Sequence, residues 1–227
     1  MGDPEHAPSD APDAGDRTRS TPGQARIAAV VLAAGESRRM GTPKQLLPFG
    51  DRTILECVVD SLLAAGIEEV IVVLGHLADR VRAVLGTRPV RPVVNERYRG
   101  GMLSSVKCGV AAIGADYDAV LFALGDQPQI ASTVVRSVMA RFQEGKTGIV
   151  IPYFGTKKGH PIAIDLHKYR DAILAIPEDV GLNALMQAHQ DDVCLLEMGT
   201  EDIVRDIDYR EDYLRELARL TDGRACV

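Results

Sequence analysis

The chain has 227 residues, which is long enough for one domain with a substantial hydrophobic core. Its formal net charge of −6 gives no basic excess for general nucleic-acid binding, and no apolar run approaches the roughly 18 residues of a transmembrane helix. Its four cysteines lack C-x-x-C spacing, which argues against a zinc or redox motif. Because the chain starts with an acidic, Pro-rich stretch, we expect a cytoplasmic protein with no nucleic-acid or membrane partner.

The two ends of the chain differ in composition from its middle. Residues 1–24 carry Pro, Asp, Ser, Gly and Thr without an apolar period, which predicts a disordered N-terminal tail. Residues 25–220 contain no internal repeat and no linker between two apolar regions, so we predict a single domain there. Residues 221–227 are predicted to be a short C-terminal tail.

From residue 27 onward, short β-branched runs alternate with longer amphipathic segments. The first helix has Thr53 and Glu56 in a capping-box pattern and Gly66 at the C′ position. The predicted strands are 27–32, 70–74, 90–94, 119–124, 149–153, 162–164 and 193–197. The later helices are predicted at 77–85, 104–113, 134–142, 166–174, 182–188 and 211–220. This order predicts an α/β fold, a Rossmann-like three-layer sandwich with a mostly parallel central sheet.

The loop after the first strand is the most informative segment. The strand stops at Ala33-Ala34-Gly35, a turn of small residues that lets backbone N–H groups approach a ligand, and the cations Arg38, Arg39 and Lys44 follow. Several cations in so short a loop favour a ligand with several negative charges, such as a nucleoside triphosphate. The segment is neither a Walker P-loop nor a G-x-G-x-x-G loop. From spacing alone, a solvated basic loop is the alternative.

The run VVLAAGESRRMGTPKQLLPFG, Val30 to Gly50, resembles the signature of the MobA-like nucleotidyltransferases. Its LAAG with Thr42-Pro43-Lys44 is similar to the molybdenum-cofactor cytidylyltransferase branch, whereas the guanylyl-transferring branch usually has LAGG and Asp before the Lys. The resemblance covers nearly all of residues 27–215. It implies a nucleotide-diphospho-sugar-transferase-like fold and Mg²⁺-dependent transfer of CMP from CTP to molybdopterin or its molybdenum-loaded form, with release of pyrophosphate.

Three aspartates are the candidate metal ligands. Asp126 follows a buried strand in Gly125-Asp126-Gln127-Pro128, where a rigidly held carboxylate suits Mg²⁺, although an Asp-x-Pro turn is the plain alternative. By resemblance, G-D-Q-P is the metal-binding segment of the family. Asp206 and Asp208 alternate about Ile207 in a segment that resembles the family's D-I-D-T-P-E-D-Y, with Tyr209-Arg210 in place of Thr-Pro. Asp208 with Glu211 equally suits the N-cap of the last helix.

The ends of parallel strands meet at one edge of a sheet, so we expect the three polar loops that follow strands to form one site. The candidate nucleotide-binding residues are Leu32, Ala33, Ala34, Gly35, Ser37, Arg39, Lys44, Gly75, Asn95, Ser104, Ser105 and Asp126. Lys44, Arg39 and Asp126 are the candidate catalytic residues, with Lys44 at the α-phosphate. Ser104 is equally suited to a helix N-cap. By resemblance, Gln127 and His160 lie near the acceptor.

Two further interpretations remain open. One is a nucleotidyltransferase for another phosphorylated small molecule, such as a sugar phosphate or phospholactate, with a different acceptor side near Lys157–Pro161 and Gly181–His189. The other is a non-catalytic protein that binds and delivers a cofactor. We also expect a molybdoenzyme or a chaperone as a protein partner of the transferase. The joint presence of Arg39, Lys44 and Asp126 favours an enzyme.

Overall fold

A computed structural model describes residues 24–221. The strands are β1 Ile27–Ala33, β2 Pro48–Phe49, β3 Arg52–Thr53, β4 Glu69–Leu74, β5 Arg91–Val94, β6 Ala119–Leu124, β7 Ile149–Phe154, β8 Lys157–Lys158, β9 Ile162–Asp165 and β10 Val193–Glu197. The α-helices are α1 Ile54–Ala64, α2 Ala78–Leu85, α3 Met102–Ala112, α4 Ser132–Gln143, α5 Leu166–Ala175, α6 Asn183–Ala188 and α7 Arg210–Thr221. The two predicted tails lie outside the described residues, except for Gln24 and Thr221.

The central sheet has the order β10-β7-β9-β6-β1-β4-β5. The short strand β8 lies outside this order and pairs with the last two residues of β7. The strand β1 pairs in parallel with both β4 and β6, and β5 continues the parallel set. β9 is antiparallel to both of its neighbours, β6 and β7. The sheet is therefore mostly parallel, and the predicted fold class is confirmed.

Successive residues of the central strand belong to two different hydrophobic clusters. Ala29 and Val31 share one cluster with residues of α1, α2 and α4, whereas Ala28 and Val30 share the other with residues of α3 and α5. Residues that alternate along a strand point to opposite faces, and helices cover both faces here, so β1 is apolar throughout. This arrangement gives the three predicted layers. None of the helices in residues 24–221 is long and apolar enough to cross a membrane.

The observed starts of α1 and α3 show which local sequence signals were sufficient to predict where a helix begins. The capping box at α1 is formed as predicted, because the Thr53 side chain accepts from the Glu56 N–H and the Glu56 carboxylate accepts from the Thr53 N–H. In contrast, α3 starts at Met102 and is preceded by Gly101. Ser104 lies inside this helix, so its predicted alternative role as an N-cap is wrong.

Candidate functional site

The loops after β1, β5 and β6 meet at one edge of the sheet and enclose a cleft of about 430 Å³. The segment after the 3₁₀ turn Glu201–Val204 forms its fourth side. Its lining residues are Leu32, Ala34, Gly35, Ser37, Lys44, Gln45, Tyr98, Gly101, Met102, Ser105, Leu124, Gly125, Asp126, Asp206 and Asp208. The convergence expected from a parallel sheet is thus observed, and both carboxylates that flank Ile207 face the same cleft.

The loop that follows β1 is folded back onto the strand end. Ser37 has a positive φ of 51°, and its hydroxyl accepts a hydrogen bond from the backbone N–H of Lys44 at 3.1 Å. The side-chain amide of the buried Gln45 donates to the carbonyl oxygen of Ala33 at 3.2 Å. These bonds bring the Lys44 side chain over the cleft floor. Ala33 itself is buried beneath the turn and supports it from below.

Lys44 lies between two of the predicted metal-binding carboxylates. Its ammonium donates to Asp126 Oδ2 at 2.9 Å and to Asp208 Oδ1 at 2.7 Å, and its side chain is only 11% exposed. Desolvation opposes the charge on this ammonium, but the two carboxylates outweigh it, so the pKa of Lys44 is raised. The hydrogen bond from Lys44 in turn lowers the pKa of Asp208. Lys44 is therefore a fixed cation at the cleft floor.

Arg39 approaches the cleft from outside. Its guanidinium donates to the second oxygen of Asp208 at 3.0 Å, and its side chain is 63% exposed. Asp208 is thus bonded to two cations through its side chain. The start of α7 instead uses Asp212, whose carboxylate accepts from the backbone N–H groups of Asp208 and Tyr209. The predicted alternative, in which Asp208 caps the last helix, is therefore wrong.

The third carboxylate, Asp206, has a different environment. It accepts a hydrogen bond from the side-chain amide of Gln127 at 2.8 Å. Desolvation and the neighbouring Asp126 raise its pKa. Gln127 is 2% exposed and also reaches the Arg205 carbonyl oxygen, so it supports Asp206. The predicted contact of Gln127 with the acceptor stays a prediction.

The donor set of the cleft suits Mg²⁺ held jointly by protein and ligand. Asp126, Asp206 and Asp208 bring three carboxylates to the two cations Lys44 and Arg39, which leaves an excess of negative charge. Among residues 24–221, no group of three or more His, Cys, Asp or Glu side chains is arranged to hold a metal ion by itself, so a metal here would also need ligands from the substrate. Mg²⁺ is typically bound by one or two carboxylates together with substrate phosphates and waters. The residues present therefore fit this metal.

Two of the predicted nucleotide-binding residues, Asn95 and Ser104, do not line the cleft. The Asn95 amide donates to the hydroxyl oxygens of Ser104 at 2.9 Å and Ser105 at 3.0 Å, and Asn95 is 6% exposed. The Ser104 hydroxyl donates to the carbonyl oxygen of Gly101 at 2.8 Å. Asn95 and Ser104 therefore brace the loop before α3, and their contact with the nucleotide stays a prediction. Ser105 lines the cleft.

Gly75 lies behind the cleft wall and makes room for an aromatic residue that the prediction missed. A Cβ at Gly75 would come within 2.6 Å of the Tyr98 Cβ and 2.8 Å of the Ala34 Cβ. With glycine there, the Tyr98 side chain packs closely and lines the cleft. The glycine that directly follows a buried strand was the available signal for such a close approach.

His160 lies in a second cavity of about 450 Å³, which shares Leu32 and Met102 with the cleft. The lining is mainly apolar and includes Phe122, Ile151, Leu182 and Met186, together with Lys158 and Asn183. Burial lowers the pKa of His160 to about 4, so its imidazole is neutral at pH 7. The apolar residues of this lining come from separate elements of the fold, so no local sequence motif predicts the cavity.

The model of the MobA-like NTP transferase domain matches residues 29–193. The chain belongs to this family. It is 31% identical over 198 residues to nicotine blue oxidoreductase from Paenarthrobacter nicotinovorans, a match that covers 84% of this chain and 96% of that protein. The family therefore includes a full-length relative whose name describes a different reaction.

Solved structures of two relatives have the same fold. Rv0371c from Mycobacterium tuberculosis H37Rv aligns with a TM-score of 0.76 and 31% identity, covering 86% of this chain and 98% of that chain. The same mycobacterial protein is also known in complex with manganese. A nucleotidyl transferase from Methanothermobacter thermautotroptrophicus aligns with a TM-score of 0.75 and 28% identity, covering 87% and 99% of the two chains.

Proposed function

We propose that this protein is a Mg²⁺-dependent cytidylyltransferase that transfers CMP from CTP to molybdopterin or its molybdenum-loaded form. The observation that carries the proposal is the position of Lys44 between Asp126 and Asp208, at the floor of a cleft that opens beneath a small-residue turn. The transfer of a nucleotidyl group requires cations and a divalent metal close together, because they stabilise the negative charge on the phosphates.

The triphosphate would lie along Ser37, Arg39 and Lys44, with the N–H groups of the Ala34-Gly35 turn nearby. Asp126 with Asp206 or Asp208 would hold Mg²⁺, which neutralises charge on the phosphates. An oxygen of the acceptor phosphate attacks the α-phosphorus in line. The bond from the α-phosphorus to the bridging oxygen breaks, and pyrophosphate leaves with the electron pair. Lys44 stabilises the charge that grows at the α-phosphate.

The preference for CTP is supported by the cleft wall. Ala34 and Gly35 leave backbone groups close to the cleft, and the Ser105 hydroxyl and Tyr98 face the same space. Polar backbone and hydroxyl groups can read the edge of a base, and they reject a mismatched base because they are then left unpaired. Together with the LAAG and Pro43-Lys44 pattern, this wall favours CTP over GTP.

The cavity around His160 is the proposed acceptor site. It opens beside Leu32 and Met102, so an acceptor bound there can present its phosphate to the cleft. Its mostly apolar lining suits a flat ring system, and Lys158 supplies a positive charge for an anionic group. A sugar phosphate would find few polar partners in this cavity, which favours the pterin acceptor over that alternative.

A thermal-shift comparison of CTP, GTP, ATP and UTP, each with Mg²⁺, tests the donor. A ligand at about 100 times its dissociation constant should stabilise the fold by about 2.7 kcal/mol, and we expect CTP to give the largest shift. Pyrophosphate release on addition of molybdopterin then tests the reaction. Lys146→Ala removes an exposed lysine of the α4–β7 loop and should behave as the wild type. Nucleotide binding without pyrophosphate release would favour a cofactor-delivery protein.

A second candidate, an oxidoreductase, is favoured by the match to nearly the full length of nicotine blue oxidoreductase. The same thermal-shift panel therefore includes NADH and NADPH. A shift with either nicotinamide dinucleotide, and none with any nucleoside triphosphate, would replace the first proposal by the second.

A further inference from the structure

The segment that carries Asp206 and Asp208 has no regular secondary structure of its own. It connects the 3₁₀ turn Glu201–Val204 to α7. Its buried apolar side chain, Ile207, belongs to a cluster with Phe49 and Ile54. One buried side chain anchors the segment at one point and does not fix its rotation there, so other contacts must orient the two carboxylates.

Hydrogen bonds from the loop after β6 attach this segment on one side. The side-chain amide of Gln129 donates to the Arg205 carbonyl oxygen at 2.6 Å and to the Asp202 carbonyl oxygen at 2.9 Å. The side-chain amide of Gln127 donates to the carboxylate of Asp206. These amides belong to the loop that carries Asp126, so they couple the segment to the first carboxylate.

A set of ion pairs attaches the segment on its other side: Arg205 pairs with the buried Glu216 and also with Asp202 and Glu201. Glu216 is the residue that α7 buries, with only 4% exposure. Its carboxylate accepts two hydrogen bonds from the Arg205 guanidinium, at 2.8 Å from Nε and 2.9 Å from the second terminal nitrogen. This fork-to-carboxylate geometry fixes direction as well as distance.

Such a pair is poorly explained by stability alone. Replacing a buried ion pair by well-packed apolar side chains is often neutral or stabilising, because both charges must be removed from water. Here the pair lies next in the chain to Asp206, and the carbonyl of Arg205 is anchored to the Asp126 loop. Arg205 therefore joins α7 to the cleft through its side chain and its backbone.

We propose that the Arg205–Glu216 ion pair is a positioning device that holds Asp206 and Asp208 at the distance from Asp126 at which the cleft binds a divalent cation. The pair touches neither nucleotide nor acceptor and acts through the carboxylates. The proposal rests on the metal site assigned under the proposed function. It predicts that loss of the pair weakens metal binding more than it weakens the fold.

The test compares Glu216→Gln and Arg205→Lys with Val138→Ala. Glu216→Gln keeps the shape and removes the charge, and Arg205→Lys keeps the charge and removes the fork. Val138→Ala opens a cavity in the core at α4, away from the cleft, and serves as the control for lost stability. Mg²⁺ and Mn²⁺ are titrated without nucleotide and followed by thermal shift. Hydrogen exchange of the backbone N–H groups of residues 203–209 is measured in parallel.

We expect both ion-pair variants to raise the half-saturating Mg²⁺ concentration by roughly tenfold, as loss of residues that orient metal ligands typically does. Exchange at residues 203–209 should rise in both, and Val138→Ala should change neither measurement. If the ion-pair variants lower only the metal-free melting temperature, as Val138→Ala does, the pair is merely structural and the proposal is wrong. If the wild type shows no metal-dependent shift but local exchange still rises, the metal assignment fails while the positioning is upheld.

Discussion

At the scale of single residues, the cleft is organised by charge. One ammonium, that of Lys44, bonds to two carboxylates, and a third carboxylate lies beside them without a cation of its own at hydrogen-bonding distance in the described structure. The pKa of Asp208 is lowered and that of Asp206 is raised, although only Ile207 separates them. Contacts made in the folded protein thus shift the pKa values of these two neighbouring aspartates in opposite directions.

Asp126→Asn tests the metal site directly. The change keeps the shape of the side chain and removes its charge, so metal-dependent turnover should fall by roughly a hundredfold or more, which corresponds to about 2.7 kcal/mol. Extra Mg²⁺ should restore part of the rate. Turnover is measured by pyrophosphate release across a range of Mg²⁺ concentrations. Normal turnover at limiting Mg²⁺ would show that other carboxylates hold the metal.

Lys44→Ala should fail in a different way. The carboxylates of Asp126 and Asp208 remain, and they lose their neutralising cation, so Mg²⁺ binding should not weaken. The loss should appear in kcat, by roughly a hundredfold, because the charge at the α-phosphate grows as the bond breaks. Steady-state kinetics at limiting and at saturating Mg²⁺ distinguish Lys44→Ala from Asp126→Asn. A rate that Mg²⁺ restores would contradict the proposed role of Lys44.

Asp206→Asn should stabilise the metal-free protein. The raised pKa of Asp206 means that the folded protein holds this proton more tightly than the unfolded chain does. The stabilising contribution is therefore present at low pH and is lost as the pH rises above 3.8 and through the folded-state value. We expect a higher urea midpoint at about pH 7, a flatter dependence on pH, and weaker Mg²⁺ binding. A lower midpoint in the metal-free variant would contradict this assignment.

At the scale of elements, the cleft is built from strand ends and helix starts. The strand β1 is buried on both faces and ends where its loop must meet the ligand, and the bonds of Ser37 and Gln45 fold that loop back. Helix α1 begins soon after the same loop, behind the short β2–β3 hairpin. Its capping box anchors the chain segment that leaves the site.

Thr53→Ala should lower the free energy of unfolding by about 1 kcal/mol, because the N–H of Glu56 loses its acceptor. The CTP-induced thermal shift should stay the same, since Thr53 does not line the cleft. Thr133→Ala, at an exposed position in the first turn of α4, is the control, because α4 has no side-chain cap to lose. Urea unfolding gives the free energy of unfolding of the two variants. Equal effects of the two substitutions would show that the cap contributes little.

At the scale of the whole molecule, two cavities lie side by side. The nucleotide cleft and the cavity around His160 meet at Leu32 and Met102, on the same edge of one sheet. The formal charge of the chain is −6, and in the cleft the two cations Lys44 and Arg39 face three carboxylates. A polyanionic ligand therefore needs a divalent cation bound with it to balance the charge at the site.

Removal of residues 1–23 should leave folding and nucleotide binding unchanged. The domain is closed at its start by Ala25, whose backbone N–H donates to the Gln143 side chain at 3.0 Å and whose carbonyl accepts from it at 2.9 Å. Removal of residues 1–26 is the matched comparison, because it also deletes the bond from the Arg26 N–H to Asp118 at 2.7 Å. Urea midpoints should fall only for the longer deletion. A fall for the shorter one would show that the segment 1–23 supports the domain.

The sequence by itself determined the features that depend on neighbouring residues. The apolar run of β1, the small-residue turn after it and the capping box of α1 are local patterns, and each is present in the structure. The alternation of Asp206 and Asp208 about Ile207 was also enough to predict that both carboxylates face one side, because residues two apart in an extended segment share a face.

The tertiary structure alone decided which polar side chains reach the cleft. Asn95 and Ser104 turn inward to brace a loop, Gln127 supports Asp206, and Arg205 reaches Glu216 in the last helix. It also placed β9 antiparallel between β6 and β7. Local spacing does not encode a hydrogen bond between Gln127 and Asp206, which lie 79 positions apart. Such partners are set by how the elements pack, because a buried polar group must take whichever partner the fold brings to it.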